Sequence, residues 1–349
     1  MQTGQTLFGD MKMAHLQNGR IKSDYMKKVL IATRTFGKYS NKPVAYLTDN
    51  GFEVVHLKNP SEFPMLLKNA DAVIVGTHKI TEKMIEHSKK LKIIAKHGVG
   101  IDNIDIEAAT KKGIPVVIAK DSNSNSVAEL VIGFIFALSR NLISAHNSFY
   151  YDHEENNWVG FEVNGKTIGV IGFGSIGKMT VEKALSLGMK VLVYDPYVIF
   201  NYNKKVEKMF VVNLVELLEK SDFVSIHVPL TGNTYNLINE EELRVMKKTA
   251  FLINTARGGI VNETALAKAL NKGWIAGAAL DVFETEPLPP SSPLFKCKNI
   301  IITPHVASHT FEATNKMGIM AAKSVVDFFG GKIPSSIVNP EAIKYMNFD

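Results

Sequence analysis

The chain has 349 residues, enough for two domains that each bury a core, and carries a net charge of +6. With 46% hydrophobic and 21% charged residues it has the make-up of a globular protein, which excludes a disordered or fibrous one. Its longest uncharged apolar run, residues 130–138, falls far short of the roughly 20 that span a bilayer, so no membrane partner is expected.

The lysines are scattered along helix faces, with no dense basic run and no zinc-finger spacing. Nucleic acid is therefore not an expected partner, and no metal is expected. The N-terminus lacks a positive segment followed by an apolar stretch, and a single cysteine, Cys297, rules out an internal disulfide. Both features point to the cytoplasm. Cys297 lies between Lys296 and Lys298 with no base motif and reads as an incidental thiol.

Residues 1–25 are polar and aperiodic and read as a disordered leader or tail outside the fold. From Met26 onward, short apolar runs alternate with helical patterns. The first series predicts strands at 29–33, 53–57, 72–75, 91–96 and 115–119, with helices near 41–50, 61–69, 81–89 and 104–112. Residues 124–142 predict a helix that is apolar almost all round, through Val127, Leu130, Val131, Ile132, Phe134, Ile135, Phe136 and Leu138. Such a helix must be covered by domain core or by another subunit. Residues 146–162, polar and aromatic, suggest a projecting loop or arm. The second series predicts strands at 167–171, 190–194, 223–227, 250–254, 275–280 and 299–303. Its helices fall at 176–187, 213–220, 239–247 and 262–271, and a last amphipathic helix covers 310–329.

Continuous apolar strands alternating with helices indicate parallel sheets covered on both faces. Two such series predict an α/β protein of two doubly wound parallel-sheet domains. In such sheets ligands bind beyond the carboxyl ends of the strands.

The first strand of the second series runs into Gly172, Gly174 and Gly177, spaced as GxGxxG, and then into a helix. This arrangement seats a dinucleotide: the glycines allow a tight turn, a close pyrophosphate and close helix packing. The amides of Ser175 and Ile176 then face the phosphates at the positive end of the helix. Asp195, 18 residues after Gly177 at the end of the next strand, suits the adenosine ribose hydroxyls and repels a 2′-phosphate. NAD is therefore expected rather than NADP.

Three ionisable residues follow later strands: Arg257, Glu286 and His305. A histidine near neutrality can take the hydroxyl proton as hydride leaves a secondary alcohol. A carboxylate beside it would orient the ring, and an arginine would grip the carboxylate of a 2-oxo acid.

These stretches, with 97–105, 126–129, 227–231, 254–259, 278–283, Glu286-Pro287 and Thr303-Pro304-His305, resemble the D-isomer-specific 2-hydroxyacid dehydrogenases over nearly all of 27–340. The resemblance implies that Arg257 binds substrate, that His305 is the acid/base and that Glu286 is its partner. It implies that the turn of Gly98, Val99 and Gly100 cradles the substrate carboxylate through backbone amides. It implies that Asp281 holds the nicotinamide carboxamide, and that Thr234, Thr255, Ala256 and the turn of His227, Val228 and Pro229 line the cofactor. A cleft between a substrate domain (26–123 with 308–349) and an NAD-binding Rossmann domain (124–307) is implied, as is a homodimer through the helix at 124–142 and the loop after it. Formate dehydrogenases have glutamine where Glu286 stands, so Glu286 argues for the hydroxy acid branch. His309 stands where many members carry glycine.

Within the family the chain looks closest to the D-3-phosphoglycerate dehydrogenases, which implies a role in serine biosynthesis. A phosphate would need cations, for which Arg34, Lys79 and Lys96 are the candidates at strand ends. Arginine often stands at the position of Lys96 in that branch. Reduction of glyoxylate or hydroxypyruvate is the alternative, and an NAD-sensing corepressor-like binding protein a third reading.

Overall fold

The computed structural model describes residues 26–153, 157–197 and 209–345. The leader or tail expected over 1–25 lies outside them. In the first unit the order is β1 (Lys28–Ala32), α1 (Lys42–Asp49), β2 (Glu53–His56), α2 (Phe63–Lys68), β3 (Ala72–Val75), α3 (Glu82–His87), β4 (Ile93–Lys96), α4 (Ile106–Lys111) and β5 (Val116–Val117). The strands pair in parallel in the order β2-β1-β3-β4-β5.

The second unit opens with α5 (Ser124–Ser139) and α6 (Leu142–Asn147), followed by β6 (Thr167–Ile171), α7 (Ser175–Ser186), β7 (Lys190–Tyr194) and β8 (Met209–Val211). Then come α8 (Leu214–Lys220), β9 (Phe223–Ile226), α9 (Glu240–Val245), β10 (Phe251–Asn254), α10 (Glu263–Lys272), β11 (Gly277–Leu280), β12 (Ile300–Ile302) and α11 (Phe311–Phe329). This sheet is also parallel, in the order β12-β11-β10-β9-β6-β7-β8.

The inner strands are fully buried because each sheet is covered on both faces. Val131, Phe134, Ile135 and Leu138 of α5 pack on the second sheet with Val170, Val191 and Phe223. The chain then returns: Ala321, Ala322, Val325 and Phe328 of α11 join Val29, Ile31, Ile74 and Ile93 of the first sheet. Among the described residues no single helix is long and apolar enough to cross a membrane.

Four expectations change. The helix expected to reach 142 stops at Ser139, and Asn141, in the left-handed conformation at φ 52°, turns the chain into α6. The expected loop or arm over 146–162 therefore starts as helix and continues as a wide turn over Ser148–Asp152. A seventh strand, β8, adds an edge to the second sheet that the apolar pattern does not announce. The strand expected at 115–119 is only Val116–Val117, which pairs with β4 on one side and makes a single antiparallel bridge, Val117 to Ile337, besides.

Candidate active site

Register sets the site. Asn254 pairs with Leu280 and Ile226, Leu280 with Ile302, Ile226 with Ile171, and Ile171 with Tyr194. These strands therefore end level, and the turns after them form one rim. That rim carries the Gly172 turn, Asp195, the His227 turn, Arg257, Glu286 and His305. In the first sheet Ala32, Val75 and Lys96 are aligned in the same way, so Arg34, Gly76 and the Gly98 turn share the facing rim.

The Gly-rich turn lies between β6 and β9, where the strand order of the second sheet reverses, the expected place for a dinucleotide. Gly172 has φ 95°, and a Cβ there would lie 2.8 Å from the His227 carbonyl oxygen and from Val228 Cγ1. Gly174 is the N-cap of α7 and provides no side-chain cap, so the first amides of the helix, at Ser175 and Ile176, stay open to an anion. Nothing lies within 4 Å of where a Gly174 Cβ would be. Gly177 has no room for one, because it would overlap the Gly172 carbonyl oxygen. Asp195 accepts from the Phe173 amide at 2.8 Å and the Tyr197 amide at 2.9 Å, which ties the end of β7 to the Gly-rich turn. Thr255 Oγ1 is buried and has no partner among the described residues, a polar atom left over for a ligand. These residues fit NAD.

Other expected cofactor residues build the frame. Thr234 Oγ1 donates to the Pro229 carbonyl at 2.6 Å and accepts from the Thr231 amide at 2.8 Å. Burial holds the His227 imidazole down to about 3, so it is neutral, and its Nε2 lies 2.9 Å from Ser225 Oγ. The Ala256 amide donates to Asn254 Oδ1. Asp281 is fully buried; its carboxylate accepts from Thr303 Oγ1 at 2.6 Å and from the Val306 and Ala307 amides at 2.8 Å. It ties down the turn that carries His305, a role the motif did not reveal.

His305 Nδ1 lies 2.7 Å from Glu286 Oε2, both half-exposed. Burial raises the Glu286 carboxyl, but the His305 hydrogen bond and charge outweigh that and hold it below its usual range. Burial, then the charge of His305, lowers the His309 imidazole. Arg257 Nε donates to Asp102 Oδ2 at 2.6 Å, and Nη1 donates to the Ala256 carbonyl at 2.6 Å.

On the facing rim, the amides of Val99 and Gly100 have no partner among the described residues. Gly98 adopts φ 146°, and its carbonyl accepts from the Ala119 amide. Lys96 is buried, and two of its three N–H donors are used: Nζ donates to the Gly76 carbonyl and to Asn103 Oδ1, both at 2.6 Å. Burial, then the charge of Arg257, lowers its ammonium to about 8. Arg34 and Lys79 are exposed. Asp102 and Asn103 were not singled out from the sequence, although both lie inside the matched stretch 97–105. Among the described residues no group of histidine, cysteine and carboxylate side chains is arranged to hold a metal.

Residues 132–307 match the model of the D-isomer specific 2-hydroxyacid dehydrogenase NAD binding domain. A glyoxylate reductase of Thermofilum pendens is 44% identical over 284 residues, 80% of this chain and 84% of that protein. A D-3-phosphoglycerate dehydrogenase of Methanocaldococcus jannaschii is 43% identical over 78% of this chain, but over 52% of its own length. The crystal structure of an Aquifex aeolicus D-lactate dehydrogenase complexed with NAD and lactic acid superposes with a TM-score of 0.78 at 31% identity, over 90% of this chain and 99% of that one.

Proposed function

The chain belongs to the D-isomer specific 2-hydroxyacid dehydrogenase family and is an NAD-dependent oxidoreductase, and from that premise we propose that it reduces a small 2-oxo acid, glyoxylate or hydroxypyruvate, to the corresponding 2-hydroxy acid. The observation that carries the chemistry is the 2.7 Å contact of His305 Nδ1 with Glu286, which leaves Nε2 for proton transfer.

In this reading the Ser175 and Ile176 amides, Asp195, Thr255 and the His227–Pro229 turn hold NAD, which supplies the hydride chemistry when bound. Asp195 favours an unphosphorylated ribose. Arg257 and the Val99 and Gly100 amides grip the substrate carboxylate. His305 gives a proton from Nε2 to the carbonyl oxygen during reduction and takes it back in the reverse direction. Glu286 keeps Nδ1 protonated and stabilises the imidazolium. We assign 26–123 and 308–349 to substrate binding and 124–307 to the dinucleotide.

The proposed substrate differs from the phosphoglycerate expected first from the sequence, and two observations favour the alternative. Lys96, the buried cation nearest the Gly98 turn, already serves two protein acceptors, and a phosphate would have to be held by Arg34 and Lys79 at the exposed rim. The glyoxylate reductase also aligns over far more of its own length than the phosphoglycerate dehydrogenase does. The test is kcat/KM of the purified protein for glyoxylate, hydroxypyruvate and 3-phosphohydroxypyruvate, each with NADH and NADPH. One of the first two with NADH is expected to lead. Preference for the phosphorylated acid would refute the substrate, and preference for NADPH would refute the role of Asp195.

A further inference from the structure

Arg257 and Asp102 come from different sheets. Asp102 follows β4 in the turn that begins with Gly98, and Arg257 follows β10, 155 residues away. Their contact therefore joins the two rims. An arginine on a flexible stem reaches a carboxylate productively only when its plane is held. Here it is held at three points. Nε donates to Asp102 Oδ2 at 2.6 Å, and Nη1 donates to the Ala256 carbonyl at 2.6 Å. Nη2 presses against Gly100 so closely that a Cβ on Gly100 would overlap it. A guanidinium has five N–H donors, so three remain, one on Nη1 and two on Nη2. Those on Nη2 lie beside Gly100, whose amide, like that of Val99, has no partner among the described residues.

We infer that Asp102 is a positioning residue that holds the Arg257 guanidinium across the cleft, with its Nη donors turned to the substrate carboxylate. The inference rests on the proposed reading of Arg257 as the substrate's anchor. Both side chains are partly exposed, 48% for Asp102 and 31% for Arg257, so the pair contributes little as an ion pair alone. Its value is orientation. The charge state agrees: burial raises the Asp102 carboxyl, but the charge and hydrogen bond of Arg257 outweigh that and keep it ionised at neutral pH.

The experiment compares D102A, D102N, R257A and the D102A/R257A double variant with the full-length protein. Steady-state kinetics with NADH and the leading 2-oxo acid gives KM and kcat. Fluorescence titration gives the Kd of NADH, and of oxamate, a carboxylate-bearing substrate mimic, on the NADH complex. D102A is expected to raise KM and the oxamate Kd by about tenfold or more. The NADH Kd and melting temperature should stay close to wild type. D102N keeps an acceptor for Nε and should recover most of the loss. In the R257A background, D102A should add less than about twofold, since the two act as one unit. If D102A does not fold, D102S, too short to reach Nε, replaces it with the same expectations.

An unchanged KM in D102A overturns the inference. A lower KM also overturns it, because the Asp102 carboxylate would then be competing with substrate for Arg257. Independent losses in the double variant would mean that Asp102 acts without Arg257. If wild type reduces none of the 2-oxo acids, the proposed function falls, and the oxamate Kd still decides the case of Asp102. Weakening in D102A supports it, whereas an equal affinity, or no oxamate binding to wild type, overturns it.

Discussion

His305 is held in the left-handed region at φ 53°, where residues with side chains are uncommon. Such a conformation costs on the order of 1–3 kcal/mol and persists only when its surroundings over-determine it. Here they do. The His305 amide donates to the Asp281 and Thr303 carbonyls, and the Asp281 carboxylate gathers Thr303 Oγ1 and the two amides that follow His305. The backbone fixes the ring's base, and Glu286 fixes its Nδ1. A ring held this firmly suits proton transfer, which needs one nitrogen in one place through the reaction. His305→Ala should therefore lower kcat by about 100-fold or more, the usual worth of a general acid/base, with the NADH Kd near wild type. Stopped-flow or steady-state rates at neutral pH decide it, and wild-type kcat in the variant would remove His305 from the proton path.

At the scale of elements, the close approach of α7 to the end of β6 makes the dinucleotide seat. Gly177 lies on the first turn of α7 against the Gly172 carbonyl, with no space for a Cβ. Gly177→Ala must push the helix away from the strand, an overpacking that costs about 1–3 kcal/mol. Its N-terminal amides move with it, so the NADH Kd should rise about tenfold or more and the melting temperature should fall. Calorimetric titration reads the first, and unaltered NADH affinity would mean that the dinucleotide is seated elsewhere. This unit was largely legible in the sequence, because strand, glycines and helix are contiguous and each follows a local rule. Strands at 72–75, 167–171 and 190–194 fall at their expected bounds, where buried apolar runs meet polar or glycine boundaries. β8 was not legible. It has three residues, and at the sheet edge Phe210 and Val211 are exposed, so no buried run marks it. The Arg257–Asp102 contact was illegible for another reason. No local periodicity links residues 155 positions apart, and only the meeting of the two rims brings them together.

Across the whole molecule, two buried imidazoles link the fold to pH. Burial lowers His97 from an ordinary 6.5 to about 4 and His227 to about 3. Both are neutral in the fold, while the unfolded chain begins to take up protons below about pH 6.5. Stability from these groups is complete above pH 6.5 and is lost as pH falls toward 4 and then 3. The loss is roughly 3 kcal/mol for His97 alone. Asp102 and Glu286, also held low, add to the slope only within the carboxylate range. Urea unfolding should show a lower midpoint at pH 4.5 than at 7.5, less so in His97→Asn, and equal midpoints in wild type would contradict the buried neutral imidazoles. The outer surface carries the last expectation. Leu142, Ile143, Phe149, Tyr150 and Tyr151 are all exposed within ten residues of one another, directly after the buried α5. A contiguous apolar and aromatic face of this kind marks an interface, and aromatics contribute most where they become covered. The homodimer that the resemblance implies through the helix at 124–142 and the loop after it would cover this face, with a two-fold axis pairing the same patch with itself. The face belongs to the unit that carries the dinucleotide turn. Light scattering should give twice the chain mass for wild type and a single chain mass for the Phe149→Ser/Tyr151→Ser variant. A monomeric wild type would refute the pairing, and a variant that stays dimeric would move the interface away from this patch.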